Sequence, residues 1–202
     1  MMRAVVVTVL VALLAGCATL PRPVVRHPHR LWVAHRARMA AIQSFEVSAE
    51  SGVVAGRHGG TLMLRWIVKR AAYQMTGLGP FGRVIFRLRA DPAGARLRTE
   101  RGRFQGASPS RLLWRLTGLR LPVSGLRFWI LGIPAPGPVT RHRLDRRGLL
   151  ASLTQAGWAI RYRSYRRTAR GRLPRFLTLT HAGTSEPSRI VVKIRIDRWR
   201  IT

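Results

Sequence analysis

Several short segments of the chain alternate between apolar and polar residues, which is typical of strands with one face in a core and the other in solvent. The clearest is Val192–Asp197, where valine and isoleucine alternate with lysine, arginine and aspartate. Arg83–Arg89 follows the same rule, with Ile85 as its one exception. Further strands are predicted at 61–68, 95–104, 157–162 and 175–180. From Phe45 onward the pattern therefore indicates an antiparallel sheet with one wet face.

Helical segments are predicted before and within this strand region. Residues 31–43 are rich in alanine, arginine and methionine and contain no glycine or proline, which favours a helix. Ser108 and Pro109 suit the N-cap and first position of a second helix, which ends at Gly118. A third helix, capped by Ser124, carries apolar residues at helical spacing. The two later helices have a large apolar load, which could fill or cover the concave face of the sheet.

The amino terminus has the pattern of an export signal. A basic start at Met1–Arg3 precedes an apolar run over 4–14, which is too short to span a bilayer as a helix. Small residues then lead to Cys17, the single cysteine, and the order Leu-Ala-Gly-Cys resembles a bacterial lipoprotein signal. That resemblance implies cleavage before Cys17 and its acylation; the alternative is an ordinary signal peptide with an incidental cysteine. We therefore expect a cleaved signal at 1–16, a lipidated tether at 17–30 and one domain at 31–202.

The charge balance is extreme, with 37 basic against 7 acidic residues and a net charge of +30. All the basic residues except Lys69 and Lys193 are arginine. Clustered arginine neutralises nucleic-acid phosphates, but an exported, anchored protein instead meets phospholipid headgroups and lipopolysaccharide. We therefore predict no nucleic-acid partner. Solvated strand faces with general membrane attraction and a specific anion site both remain open as explanations.

The residues do not indicate an enzyme, a metal or a cofactor. The seven carboxylates are scattered, whereas an active site needs converging titratable groups. His27 and His29 form a pair, but nothing near them in sequence supplies further metal ligands. The chain also lacks a nucleophile elbow and a phosphate-binding glycine-rich loop.

One stretch is specific enough to indicate a family. The segments Leu116-Thr117-Gly118, Leu121-Pro122-Val123 and Leu126–Pro134 resemble the hallmark region of the outer-membrane lipoprotein receptor LolB family. The resemblance implies a mainly β (α+β) fold, a half-open antiparallel β-barrel with short helices lidding an apolar cavity. It also implies a monomeric, lipid-anchored protein on the periplasmic face of the outer membrane. Such a protein accepts acylated lipoproteins from a LolA-like periplasmic carrier and places them in the inner leaflet.

The same resemblance suggests which residues take part. We expect the acyl-chain cavity to be lined by aliphatic and aromatic residues of the predicted strand at 61–68 and of the two later helices. These are Leu64, Trp66, Leu116, Leu126, Trp129 and Ile130. In the family a protruding loop carries an exposed apolar residue, and here Pro80-Phe81-Gly82 fits that motif, with Leu78 as a rival. The alternatives are that Phe81 folds back over the core edge, and that the protein is a sensor that binds lipid or lipopolysaccharide without transferring cargo.

Overall fold

The computed structural model describes residues 27–117, 121, 123–182 and 189–202. The helices of this part of the chain are α1 (Pro28–Ala40), α2 (Pro109–Thr117) and α3 (Val123–Trp129), with a 3₁₀ turn at Pro80–Gly82. The first six strands are β1 (Ser44–Ala55), β2 (His58–Lys69), β3 (Ala72–Leu78), β4 (Val84–Asp91), β5 (Gly94–Thr99) and β6 (Gly102–Gly106). The remaining strands are β7 (Arg141–Leu144), β8 (Leu150–Gln155), β9 (Trp158–Thr168), β10 (Gly171–Ala182) and β11 (Arg189–Ile201).

All these strands belong to one antiparallel sheet in the order β6-β5-β4-β3-β2-β1-β11-β10-β9-β8-β7. The first and last strands of the chain are neighbours in its middle, where Val53 pairs with Val192. The edge strands β6 and β7 do not pair with each other, so the sheet is open. The mainly antiparallel, half-open architecture expected from the sequence is therefore confirmed.

Alternation along the strands builds the core, as the sequence pattern predicts. In β11, Ile190, Val192, Ile194 and Ile196 are buried while the residues between them face outward. The same alternation directs every second side chain of β1 and β2 to the inner face. Because side chains alternate across a strand, arginine can occupy the outer positions without entering the core.

Several predicted boundaries were wrong. The third helix begins at Val123, so Ser124 lies inside this helix and is not its N-cap. Residues 95–104 form two strands and not one, because Glu100 and Arg101 make a turn before Gly102, whose φ of 132° suits glycine. The first helix begins three residues earlier than expected, at Pro28, and ends at Ala40. Proline is favoured in the first turn of a helix, since the amide that it lacks has no intrahelical partner there.

The chain between β6 and β7 carries α2 and α3 across one side of the sheet. Helix α2 begins at Pro109, as predicted, and contacts β5 and β6, while α3 contacts α2. The amide of Arg111 donates to the Ser108 hydroxyl oxygen at 3.5 Å, a long N-cap hydrogen bond. Helix α1 lies elsewhere, against β7 and β10. The open sheet and the helices α2 and α3 together border a partly open concave space.

Candidate functional site: an apolar cavity and an exposed loop

A cavity of about 480 Å³ lies between the inner face of the sheet and the α2–α3 segment. Its wall is aliphatic and aromatic except for Ser51, Thr99, Glu100 and Arg101. The strands contribute Ser51, Val53, Leu62, Leu64, Met75, Ile85, Phe86, Leu97, Thr99, Leu179, Val192 and Ile194. The helical side contributes Leu113, Leu121, Val123 and Leu126, and the β5–β6 turn contributes Glu100 and Arg101. Such a wall suits a ligand that is itself apolar.

A glycine at position 77 makes room for one part of the cavity wall. Gly77 of β3 is the register partner of Phe86 of β4. A Cβ atom added at Gly77 would stand 2.3 Å from the Phe86 ring, so only glycine leaves room for it. The ring therefore lies across β3 and forms part of the cavity wall.

The structure separates the predicted cavity residues into two groups. Leu64 and Leu126 lie on the cavity wall. Trp66, Trp129 and Ile130 are fully buried in the core and are not among the wall residues. The side chain of Leu116 lies outside the described residues, as does the whole of Cys17.

Trp129 does not line the cavity but helps to hold the end of α3 in place. The indole N–H of Trp129 donates to Oε1 of Gln155 at 2.9 Å, and the hydroxyl of Tyr162 donates to the Trp129 carbonyl at 3.0 Å. Gln155 also accepts from the Ala135 amide at 2.9 Å and donates to the Ala135 carbonyl at 2.8 Å. This network fixes the end of α3 against β8 and β9.

Trp66, the other tryptophan expected in the cavity, takes part in no such hydrogen-bond network. Trp66 packs edge-on against Phe45 and Tyr73, and its indole N–H has no hydrogen-bond partner. The Tyr73 hydroxyl is likewise buried without a partner, and burial raises the pKa of Tyr73 to about 12. Tyr73 is therefore neutral at physiological pH, and this part of the core carries no charge.

Sequence reasoning missed most of the wall. The unpredicted members come from all of the strands β1–β5, from β10 and β11, from the β5–β6 turn and from the helical side, for example Met75, Leu179 and Val192. Alternation does indicate that such residues face inward. It does not distinguish an inner side chain that contacts other side chains from one that borders empty space, because that depends on the curvature of the sheet.

Three of the four polar wall residues, Thr99, Glu100 and Arg101, lie together at the end of β5 and in the turn that follows it. Nε of Arg83 lies 3.2 Å from a carboxylate oxygen of Glu100, which joins the loop after β3 to the β5–β6 turn. Both side chains are largely exposed, so this ion pair contributes at most about 1 kcal/mol. At this end of the cavity the apolar wall gives way to a charged surface.

The loop between β3 and β4 presents Phe81 to solvent. The Phe81 side chain is 108% exposed, whereas Leu78 is half-buried, so Phe81 does not fold back over the core edge. The turn is tight: the Gly79 amide donates to the Arg83 carbonyl at 2.8 Å. Phe81 itself has φ 57° and ψ 21°, the left-handed region that costs a non-glycine residue about 1 kcal/mol or more. A large apolar side chain is thus held outward on a strained turn.

The structure supplies no evidence of a metal or membrane-spanning helix in the part of the chain that it describes. No cluster of three or more potential metal ligands occurs among these residues, and His27 and His29 are not part of one. None of the described helices is both long and apolar enough to cross a bilayer.

An open antiparallel sheet, partly covered by short helices and bordering an apolar cavity, is the half-open barrel fold expected of the lipoprotein receptor family. The chain is a member of the outer membrane lipoprotein LolB family, whose model matches residues 43–199. The family resemblance noted in the sequence is therefore confirmed. The protein is an outer-membrane lipoprotein and not an enzyme.

Curated relatives agree with this assignment. The outer-membrane lipoprotein LolB of Pseudomonas putida KT2440 is 36% identical over 160 residues, covering 77% of this chain and 78% of the relative. The LolB of Pseudomonas syringae pv. syringae is 34% identical over 168 residues, covering 81% and 82%. That of Pseudomonas fluorescens Pf-5 is 35% identical over 169 residues, with the same coverage.

Solved structures show the same fold at much lower identity. A LolA superfamily protein from Nitrosomonas europaea matches with a TM-score of 0.50 at 11% identity, covering 87% of this chain and 93% of that one. A DUF1329 family protein from Desulfovibrio piger matches with a TM-score of 0.51 at 8% identity, covering 89% and 94%. At these identities the likeness concerns the fold alone.

Proposed function

We propose that this protein is a receptor that binds the acyl chains of lipoproteins in its apolar cavity and inserts those lipoproteins into the outer membrane. The observation that carries the proposal is the aliphatic cavity between the sheet and the α2–α3 segment. Membership in the LolB family supports a receptor role at the outer membrane. The expected donor is a LolA-like periplasmic carrier, and the expected destination is the inner leaflet.

The physical task is to move acyl chains through water. Each exposed CH₂ group costs about 0.8 kcal/mol, so acyl chains cross the periplasm only when a protein covers them. A pre-formed apolar cavity provides that cover without a large rearrangement. If the receptor cavity binds the chains somewhat better than the donor, and the membrane better still, transfer runs downhill and needs no nucleotide.

Phe81 is the expected contact with the bilayer. Its aromatic side chain extends from the turn between β3 and β4 and is fully exposed. A large exposed apolar side chain next to basic residues is typical of a surface that enters the interface of a membrane. Acylated Cys17 would hold the cavity beside this membrane, because several acyl chains together give stable anchoring.

A transfer assay with two variants separates cavity from loop. The full-length receptor in lipid vesicles receives an acylated lipoprotein from its loaded carrier, and both receptor-bound and membrane-inserted cargo are measured. Leu126→Glu places a charge in the cavity wall and should abolish acceptance. Phe81→Glu should leave acceptance intact and prevent insertion, because a carboxylate does not enter the apolar part of the bilayer.

Two further variants control for these changes. Val54→Glu adds the same charge at a half-exposed position outside the cavity wall and should change neither step. Phe81→Leu keeps the exposed apolar side chain and should insert cargo normally. Unimpaired insertion with Phe81→Glu would contradict the role of the loop. Lipid binding without any transfer by the unaltered receptor would instead indicate a sensor.

A further inference from the structure

A second concavity, of about 390 Å³, lies at the end of β4 and β5, and we call it the arginine pocket. It is lined by Val84, Ile85, Arg87, Arg98, Thr99 and Glu100. Ile85, Thr99 and Glu100 also line the apolar cavity, so the two spaces adjoin at this edge. Arg87 and Arg98 belong to the opposite face of the sheet from the buried Leu88 and Leu97.

The arginines of this pocket are partners of one another across adjacent strands. Arg87 of β4 is the register partner of Arg98 of β5, and Arg98 is in turn the partner of Arg103 of β6. Like charges directly opposite each other destabilise a sheet. Among the described residues, none of the three forms an ion pair; Glu100, which also lines the pocket, pairs with Arg83.

Arg87 has in addition an unused donor. Its Nε is buried and has no hydrogen-bond partner. A buried donor without an acceptor costs about 1–3 kcal/mol. Two guanidinium groups on adjacent strands can present several N–H donors to the oxygens of one phosphate, which is the recognition that arginine performs best.

The surroundings of the pocket favour an amphiphilic anion over a free one. Val84 and Ile85 are 41% and 37% exposed, and both line the pocket beside the loop that carries Phe81. An apolar surface of this kind, rimmed by arginines, matches a lipid at the level of its headgroup, where charge and hydrocarbon meet.

We propose that the arginine pocket binds the phosphate of an anionic membrane phospholipid. Arg87 and Arg98 donate hydrogen bonds to the phosphate oxygens, and Val84 and Ile85 contact the first carbons of its acyl chains. The ligand is a lipid of the destination membrane and not the cargo. The site therefore serves to dock the protein on the membrane, and its lipid binding can be tested in the absence of carrier and cargo.

The test measures lipid binding to the purified full-length protein by native mass spectrometry in a non-ionic detergent. Phosphatidylglycerol is compared with zwitterionic phosphatidylcholine and with inorganic phosphate as a competitor. Arg87→Gln/Arg98→Gln should weaken phosphatidylglycerol binding about tenfold or more, since charge-assisted hydrogen bonds are lost. Arg167→Gln/Arg172→Gln is the matched control, because these arginines are also cross-strand partners, on β9 and β10, and do not line the pocket.

The expected result is a preference for phosphatidylglycerol over phosphatidylcholine that the Arg87/Arg98 variant loses and the Arg167/Arg172 variant keeps. Equal binding of the two lipids would show that the protein does not recognise the charge of the headgroup, and equal losses in the two arginine double variants would show that only general charge matters. Either result would overturn the proposal. Loss with Leu126→Glu alone would assign the bound lipid to the apolar cavity. Displacement by millimolar inorganic phosphate would show a free-phosphate site, which also contradicts the proposal.

Discussion

The conformation of Phe81 indicates that its position is costly for the fold. A left-handed φ is easy for glycine and unfavourable for phenylalanine, and the exposed ring gains no packing energy in return. Such a residue is expected where function and not stability decides the side chain.

Phe81→Gly should therefore raise the free energy of unfolding by up to about 1 kcal/mol while abolishing insertion of cargo. Urea unfolding of the two proteins, measured beside the transfer assay, checks both effects. Phe81→Ala is the control, since it removes the ring and keeps the strain. A lower stability for the glycine variant than for the alanine variant would show that the turn is not strained at Phe81.

A buried histidine makes stability depend on pH. His35 of α1 is buried beside Trp32, and burial, with the nearby Arg38 as a second cause, lowers the pKa of His35 to about 4, although Asp145 opposes this. Below its ordinary pKa of about 6.5 the unfolded chain binds a proton that the folded chain refuses. Stability contributed by neutral His35 is therefore complete above pH 6.5 and is lost between about pH 6.5 and 4.

His35→Gln should remove this dependence. The unaltered protein should lose about 1–2 kcal/mol more than the variant when the pH falls from 7.5 to 5, because only its histidine gains a proton on unfolding. Urea denaturation of both proteins at the two pH values measures the difference. Identical losses in the two proteins would show that other groups set the acid sensitivity.

At the scale of elements, one buried amide holds the α3 segment in place. Gln155 of β8 is 3% exposed and bonds both the Trp129 indole and the backbone of Ala135. Gln155→Leu would leave these groups buried without partners, at a cost of about 2–3 kcal/mol. We expect a lower melting temperature and weaker acceptance of cargo, because α3 carries part of the cavity wall.

Gln105→Leu serves as the comparison for this change. Gln105 lies on β6, is exposed, and should tolerate leucine with little loss of stability. If the two variants unfold at the same temperature, the Gln155 network does not stabilise α3.

The elements show how far sequence reasoning reaches. Alternation identified the strand region, and Ser108-Pro109 located the start of α2, because both signals are local. The division of 95–104 into two strands depends on a turn at Gly102, and alternation continues across that turn without a break. Short strands such as β7, with its exposed arginines, have too little alternation to be recognised.

Within the site, the sequence indicated which residues are apolar but not which of them border the cavity. Trp129 and Leu126 lie on the same short helix, yet one is fully buried in the core and the other faces the cavity. That difference is set by Gln155 and Tyr162, which are distant in sequence and draw Trp129 toward the sheet. The exposure of Phe81 was easier to predict, since a glycine-rich turn offers little to bury a ring.

At the scale of the whole molecule, apolar and basic surfaces are sorted by the two faces of one sheet. The inner face builds the core and cavity, while arginines of β4, β5 and β6 occupy outer positions, and Phe81 is exposed on the turn between β3 and β4. The net charge of +30 then attracts the molecule to anionic leaflets, and each basic residue near such a surface contributes about 1 kcal/mol.

Site-specific photo-crosslinking tests most directly whether the apolar cavity holds the acyl chains of the cargo. A benzoylphenylalanine replaces Leu126 on the cavity wall, or the half-exposed Val54 as the control, in the full-length receptor. Each receptor is irradiated with carrier-loaded lipoprotein bearing radiolabelled acyl chains. We predict labelled adducts at position 126 and none at position 54; equal labelling at both positions, or none at 126 while transfer proceeds, would contradict the account.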